Sequence, residues 1–575
     1  MAWLVFFFLL PLVFVGIASF MTRGPGGQPV QPWTLEHYQR TFEVFGPVIW
    51  RTLGFATLTT LLCLLVGFPT AMFIASRQRP AMRLALLFLV LLPFWTNFLV
   101  RTYALITIVQ REGLLNEWLV RLGLVQDPVQ MLFTPTAVVL GLVYGYLPFM
   151  VLPIYAAVER LDRRYVEAAN DLGANDWRAF WRVIWPLTLP GVVAGSMLVF
   201  IPAIGAFVTP DLMGGTGGLM IGNLVQSQFR GRGNVPLGSH LDGAAGDRLR
   251  GGARVRPLGR AERSVTRAGL APERPPGGVP EERRGALRRD LAGRRLSRVL
   301  GWVVPLVALA FLWLPIAVLV GFSFNDAASV SIWRGFSLRW YENVFSSLSG
   351  GDSRFQTDLL LRSVMNSLWV AGVSTVVATT LGTMFALAVA RGRFPGRKLF
   401  DALFYLPVVI PDITMGVSLA VFFRIVFEAW QQWTGMRLVS GFGTIIIAHV
   451  AFNVAYVAIV VRARLATMDA SLEEAARDLG ANDWQAFWRI TFPILFPGVM
   501  AGALLAFTLS LDDFVITFFT AGVGTTTLPL FVYGLLKQRV PPEINAVSTL
   551  MIVASIVLVA LSLVLQRRGA RRSGG

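Results

Sequence analysis

The chain has 575 residues, 55% of them hydrophobic and 15% charged, with a formal net charge of +18. A soluble protein of this length carries about a quarter charged residues, so a water-soluble globular chain is excluded. The single cysteine, Cys63, excludes an internal disulfide and a thiolate metal cluster, and His37, His240 and His449 share no ligand spacing.

Eleven apolar runs follow in chain order, near 2–20, 52–75, 84–108, 136–158, 187–208, 299–324, 364–390, 399–427, 443–461, 494–519 and 546–565. A membrane-spanning helix needs roughly 20 such residues. Residues 2–20 lack a basic leading region and a small-x-small cleavage pattern before Arg23, so they read as a retained span rather than a signal peptide. With no water in the bilayer to satisfy the backbone, these lengths predict an all-α, polytopic membrane protein. The two lysines, Lys398 and Lys537, have no G-x-x-x-x-G-K-[ST] context, so the chain has no P-loop of its own.

Two stretches say the same thing. EAANDLGANDWRAFWRVIWPLTLPG (167–191) and EAARDLGANDWQAFWRITFPILFPG (474–498) agree at seventeen of twenty-five positions, at a constant offset of 307. Each lies between two apolar runs and has the grammar of a helical hairpin. A helix ends at Gly173, which tolerates a left-handed backbone, and Asn175 or Asp176 caps a second helix starting at Trp177. Gly480, Asn482 and Asp483 repeat the devices. The alanines leave a smooth face, and Trp177, Phe180 and Trp181 supply aromatic anchors for a partner. One amphipathic surface helix would explain a single copy. Two copies that keep polar as well as apolar positions point to a shared partner.

The motif EAA…G followed by P…LPG or P…FPG, between two spans both times, resembles the cytoplasmic loop of ABC importer permeases. The resemblance implies a coupling helix docked on a separate ATPase subunit. By position, Glu167, Ala168, Ala169 and Gly173 belong to one docking loop (160–186), and Glu474, Ala475, Ala476 and Gly480 to the other (462–493). Outside the loops, FWTNFLVRTYAL (94–105), IPAIGAFVTPDLMGG (201–215) and MIGNLVQSQF (220–229) resemble the first permease subunit of spermidine/putrescine importers. LPIAVLVGFSFN (314–325), LSLDDFVITFFTAG (509–522) and PPEINAVSTLM (541–551) resemble the second. The chain is thus expected to be two permease halves, 1–230 with five spans and 299–566 with six, where the family has six and six. The family further implies two copies of a cytoplasmic ABC ATPase that carries the ATP and Mg, an extracytoplasmic substrate-binding protein, and a polyamine cargo. The expected location is the bacterial inner membrane. No catalytic residue, metal or cofactor is expected on this chain, and no nucleic-acid partner.

Orientation follows independently from charge. Arg160, Arg163, Arg164, Arg178 and Arg182 crowd the first loop, Arg462, Arg464, Arg477 and Arg489 the second, and RRGARR the tail within 567–575. The positive-inside rule makes both loops and the C-terminus cytoplasmic.

Ionisable residues within spans are costly and are candidates for function. Asp412 falls inside the run 399–427, Asp512 and Asp513 inside 494–519, and Asp211 just beyond 187–208. The four are expected to gather in the outer half of the bundle, where an ammonium cargo suits them and a phosphate is repelled. Trp95, with Asn97 nearby, offers an aromatic wall for cation–π contact. Against this stands a structural use of the acids, as a helix cap or a partner of Arg101. Other functions remain open at this stage: an ABC permease for ferric iron, thiamine or phosphonate, or a secondary transporter with parallel repeats. An intramembrane enzyme would need a nucleophile–base or metal-ligand set, and the runs contain none.

Residues 231–298 fit nothing else. They contain no Phe, Trp, Tyr, Ile, Met or Lys, but sixteen Arg against seven acids. Composition predicts an Arg/Gly/Pro-rich disordered segment. Parity makes it stranger. Five runs separate the two loops, which would place them on opposite faces of the membrane. SQFRGRGNVPLG (227–238) aligns at the same offset with GLLKQRVPPEIN (534–545), and the second copy then enters the run 546–565. A sixth span is therefore expected after Gly231, and the segment reads as frameshifted text of a GC-rich gene. The other two frames of codons 231–298 would then encode an apolar run of roughly 20 residues.

Overall fold

A computed structural model describes the chain apart from residues 1–2, 4, 25–28, 232–280, 328–332, 349–354, 393–405, 409, 467, 470, 538–541, 555 and 558–575. The first half opens with a π-helical turn (Val5–Leu9), α1 (Leu10–Ala18) and an antiparallel ribbon of β1 (Met21–Arg23) and β2 (Pro29–Trp33), with Met21 opposite Trp33. Next come α2 (Glu36–Ala75), α3 (Pro80–Leu91), α4 (Phe98–Val109), α5 (Leu114–Arg121) and α6 (Pro135–Glu159). The half closes with α7 (Arg163–Asp171), α8 (Asp176–Ala179), α9 (Trp185–Gly205), α10 (Val208–Met213) and α11 (Ile221–Gln226). The second half runs through α12 (Glu281–Phe322), α13 (Arg339–Leu348), α14 (Phe355–Arg391), α15 (Asp412–Thr434) and α16 (Phe442–Leu465). It continues through α17 (Ser471–Asp478), α18 (Asp483–Ala486), α19 (Phe492–Asp512), α20 (Val515–Thr520), α21 (Leu528–Leu536) and α22 (Glu543–Ala554).

Among the described residues, eight helical stretches are long and apolar enough to cross a membrane, and three shorter apolar helices (Val5–Ala18, Pro80–Leu91, Glu543–Ala554) coincide with three further runs. The protein is an all-α polytopic membrane protein. Several runs are nevertheless broken where continuous helix was expected. The run 84–108 is split into α3 and α4 by a 3-10 turn at Leu92–Trp95, with Asn97 capping α4. The run 399–427 restarts at Asp412 after the cap Pro411, so Asp412 sits in a first helical turn rather than mid-span. The run 494–519 breaks at Asp513, which has an extended backbone between α19 and α20. Hydropathy averages over such corners and cannot see them. Of the segment 231–298, residues from Glu281 onward are helical and continue into the span at Trp302–Phe322. Between Pro280 and Pro305 that stretch has no proline, and two glutamates open its first turn, which suits a helix N-terminus. The remainder of that segment and the basic tail lie outside the described residues.

The halves repeat each other in detail beyond the motif. Thr52 Oγ1 on α2 accepts from the backbone N of Ile221, which opens α11, at 2.9 Å; Ser367 Oγ on α14 accepts from Leu528 N, which opens α21, at 2.8 Å. Ser19 Oγ meets Tyr38 OH at 3.0 Å, and Ser323 Oγ meets Tyr341 OH at 2.7 Å. Each pair satisfies polar groups that lipid would leave stranded.

Each half also lends its first helix to the other. Phe8 and Val15 of the N-terminal segment are buried against α15, with Phe14 stacked on Phe422 at 6.2 Å. Reciprocally, α12 lies on the first half. Trp313 Nε1 donates to Leu89 O at 2.8 Å, Trp302 packs on Phe73 at 5.0 Å, and the Arg77 guanidinium covers Trp302 at 4.4 Å. The halves are thus interlocked rather than merely apposed.

Candidate functional site

The two repeat loops make the same hydrogen bonds, with lengths that agree to within a tenth of an ångström. In the first, α7 ends in a Schellman motif: Gly173 N donates to Asn170 O and Ala174 N to Ala169 O, both at 2.9 Å, with Gly173 at φ +84°. In the second, Gly480 N donates to Arg477 O at 2.9 Å and Ala481 N to Ala476 O at 3.0 Å, with Gly480 also at φ +84°. Asn175 Oδ1 then accepts from Arg178 N, and Asn482 Oδ1 from Gln485 N, each at 2.8 Å, capping α8 and α18. Asp162 and Asp469 open the preceding helices, each accepting a backbone N–H two residues on at 3.0 Å. The Ser471 backbone N–H and hydroxyl hold the Asp469 carboxyl below its ordinary range. A depressed carboxyl contributes its stability above its ordinary value and loses it as pH falls through the lowered one.

What the loops present is apolar. Leu172 and Leu479, at the hairpin bends, are 90% and 89% exposed, and Trp177 and Trp484 are 68% and 70% exposed. Trp177 stands edge-on to Trp181 at 5.7 Å, as Trp484 does to Trp488 at 5.6 Å. Glu167 and Glu474 are exposed beside them; Ala168 and Ala475 are exposed, while Ala169 and Ala476 turn inward. The two arginine-rich hairpins thus expose matching apolar faces with paired aromatic side chains. The leucines were missed in the sequence because a single exposed Leu is unremarkable until its twin is found in the same pose.

The helices leaving the loops, α9 and α19, are 21 residues each, about 31 Å at 1.5 Å per residue. Their far ends meet, with the Phe207 ring 5.8 Å from Phe514 and 5.7 Å from Phe518. Both loops therefore lie at one end of the bundle, and the meeting point forms a seam between the halves.

The acids lie along this seam. Asp512 Oδ1 accepts from Phe98 N of the first half at 2.6 Å, and its other oxygen is 4.0 Å from Arg101 Nη2. Asp513 Oδ2 accepts from Thr517 N and Thr517 Oγ1, both at 2.8 Å, and stands 3.2 Å from His449 Nε2. Asp412, exposed at the start of α15, feels the charge of Asp513, as Asp512 does. Three of the four acids are thus brought together. Asp211 is engaged elsewhere, with Lys537 and Tyr533. Asn97 Oδ1 caps α4, accepting from Leu99 N at 3.0 Å, while its buried Nδ2 has no hydrogen-bond partner among the described residues. The Trp95 side chain lies outside the described residues. Both uses of the acids weighed from the sequence are present: Asp513 caps α20, and Asp512 pairs with Arg101.

His449 was passed over in the sequence and is central here. Its ring is 1% exposed; Nδ1 meets Ser510 Oγ at 2.6 Å and Nε2 meets Thr517 Oγ1 at 2.9 Å, while Ser510 Oγ meets Ser374 Oγ at 3.0 Å. Thr517 donates its hydroxyl proton to Asp513, so the imidazole donates to Thr517 from Nε2. The first half has Leu142, Ala203, Ala206 and Pro210 at the places of His449, Ser510, Asp513 and Thr517. That set of differences between the repeats is a signal the sequence did contain.

An interlocked pair of helical bundles, carrying twin exposed hairpins at one end and an acidic seam between the halves, defines a membrane permease. The chain belongs to the binding-protein-dependent transport system inner membrane component family, whose profile matches residues 67–233 and again 378–574. It is 45% identical over 239 residues to the spermidine/putrescine transport system permease protein PotB of Haemophilus influenzae, covering 41% of this chain and 83% of that one. The Escherichia coli PotB is 43% identical over 238 residues, covering 41% and 86%. The putrescine transport system permease protein PotI of Escherichia coli is 40% identical over 253 residues, covering 44% and 84%. Each relative is matched over most of its length by less than half of this chain, and the family domain occurs twice. Two permease subunits are joined in one polypeptide.

Proposed function

We propose that this chain is the translocation pore of an ABC importer that carries a polyamine into the cytoplasm. Each docking hairpin engages one copy of a cytoplasmic ATPase, and an extracytoplasmic binding protein delivers the cargo. The loops and the C-terminus face the cytoplasm, as their arginines imply. The observation that carries the cargo assignment is the seam: the three carboxyl groups of Asp412, Asp512 and Asp513 converge there against the single guanidinium of Arg101, so acids outnumber the cation that faces them. A di- or polycation matches it, and an anion is repelled. The similarity to PotB and PotI points the same way. Reconstituted with an ATPase and a binding protein, the chain should hydrolyse ATP faster with putrescine or spermidine than with thiamine, ferric iron or a phosphonate. Stimulation by one of the latter alone would overturn the cargo.

The acids that face the path should depend on charge. Asp412→Asn is expected to lower polyamine uptake about tenfold, the value of one charge-assisted hydrogen bond, while Asp412→Glu retains most of it. Uptake assays on membrane vesicles check this, and equal uptake by the wild type and the Asn variant would remove Asp412 from the path.

A further inference from the structure

Asp211 lies on α10, and its carboxylate is met from the other half of the chain. Lys537 Nζ, just past the end of α21, is 2.8 Å from Oδ2, and the Tyr533 hydroxyl donates to that same oxygen. The ammonium also stands 4.9 Å from the centre of the Tyr533 ring. A carboxylate, a phenol and an aromatic face around one nitrogen form a donor set that recognises a primary ammonium. A lysine side chain is a tethered butylammonium, so the group held there has the chemistry of one end of a diamine. The Lys537 side chain is 47% exposed and that of Asp211 19%, so water reaches the pair and one ammonium can replace another. The repeat does not require this arrangement. At the offset of 307, Phe518 stands in the place of Asp211, Gln226 in that of Tyr533 and Arg230 in that of Lys537.

We propose that Asp211 and Tyr533 form a primary-ammonium subsite at the end of the seam away from the docking loops. Lys537 fills it in this conformation, as an internal competitor that latches the two halves. An arriving cargo ammonium displaces Lys537 from the carboxylate and so opens the latch. The exchange replaces one ion pair by another, with no bond made or broken. This inference rests on the cationic cargo proposed above.

The test uses the full chain in nanodiscs with its ATPase and binding protein, and reads ATP hydrolysis against putrescine concentration. A latch that merely holds the halves shut is loosened alike by Lys537→Ala and Asp211→Asn, and both variants would shift the response in one direction. A subsite with a competitor makes them diverge. Lys537→Ala frees the carboxylate and is expected to lower the half-saturating putrescine about fivefold, the release of a partly exposed ion pair. Asp211→Asn destroys the carboxylate and is expected to raise it about tenfold, the loss of a charge-assisted hydrogen bond. The double variant should behave as Asp211→Asn. Shifts in the same direction, or a double variant resembling Lys537→Ala, would overturn the subsite while leaving the cargo intact. A wild type that ignores putrescine and spermidine would overturn the cargo itself and this inference with it.

Discussion

A valine at Gly173 or Gly480 is expected to abolish coupling while leaving the protein in the membrane. Both glycines have φ +84°, and a Cβ added at either would meet nothing within 4 Å. The cost is therefore purely conformational, about 1–2 kcal/mol for any L-residue in the left-handed region and more for a β-branched one. The chain can escape that cost only by abandoning the Schellman bonds, which sends Asn175 or Asn482 and its capped helix in a new direction. Leu172 and Trp177, or Leu479 and Trp484, then no longer form one face. Copurification of the ATPase with each variant, beside ATP hydrolysis and uptake, checks this. Gly173→Ala should be milder than Gly173→Val. Exchange of Glu167 or Glu474 should weaken docking without disturbing the bend. Full coupling in both valine variants would dismiss the docking role.

The second large effect concerns the buried network. Asp513→Ala takes the acceptor from Thr517 N, breaks the Thr517 hydroxyl–carboxylate bond and removes the carboxylate beside His449 Nε2 inside the bundle, a loss of about 3–5 kcal/mol. The combination His449→Leu, Ser510→Ala, Asp513→Ala instead matches the first half at three of the four positions, where Leu142 and Ala203 are fully packed at 1% and 0% exposure. It is expected to be more stable than Asp513→Ala alone, because it also removes the buried polar groups of His449 and Ser510 and leaves only those of Thr517 short of the carboxylate. Thermal unfolding in detergent measures this directly. A combined loss equal to the sum of the single losses would mean that the network is not a unit.

The docking loops were legible in the sequence because their determinants are local. A glycine at a helix end and an asparagine two residues later specify a bend whatever surrounds them, and a second copy removes coincidence. The corners of the seam were not legible. The clue to the break before α4 and α15 is proline in LPFWTN and LPVVIPD, two short strings related by an offset of 314 rather than 307. Asp412 was singled out for its charge, yet its place in a first helical turn depends on Pro411, which hydropathy merely averages into the apolar run around it. His449 needed three elements besides its own helix to acquire a meaning, since Ser374, Ser510 and Thr517 lie 75, 61 and 68 residues away.

The exchange of first helices sets a timetable. The partner of α1 is α15, about 400 residues further along, so at 5–20 residues per second it emerges from the ribosome about 20–80 s later. Until then Phe8 and Val15 have only lipid against them, and the first half waits unfinished however well its other helices pack. In a protein made as two polypeptides that wait ends with a diffusive encounter in the bilayer. Here the partner arrives on the same thread, at a local concentration set by the chain rather than by expression.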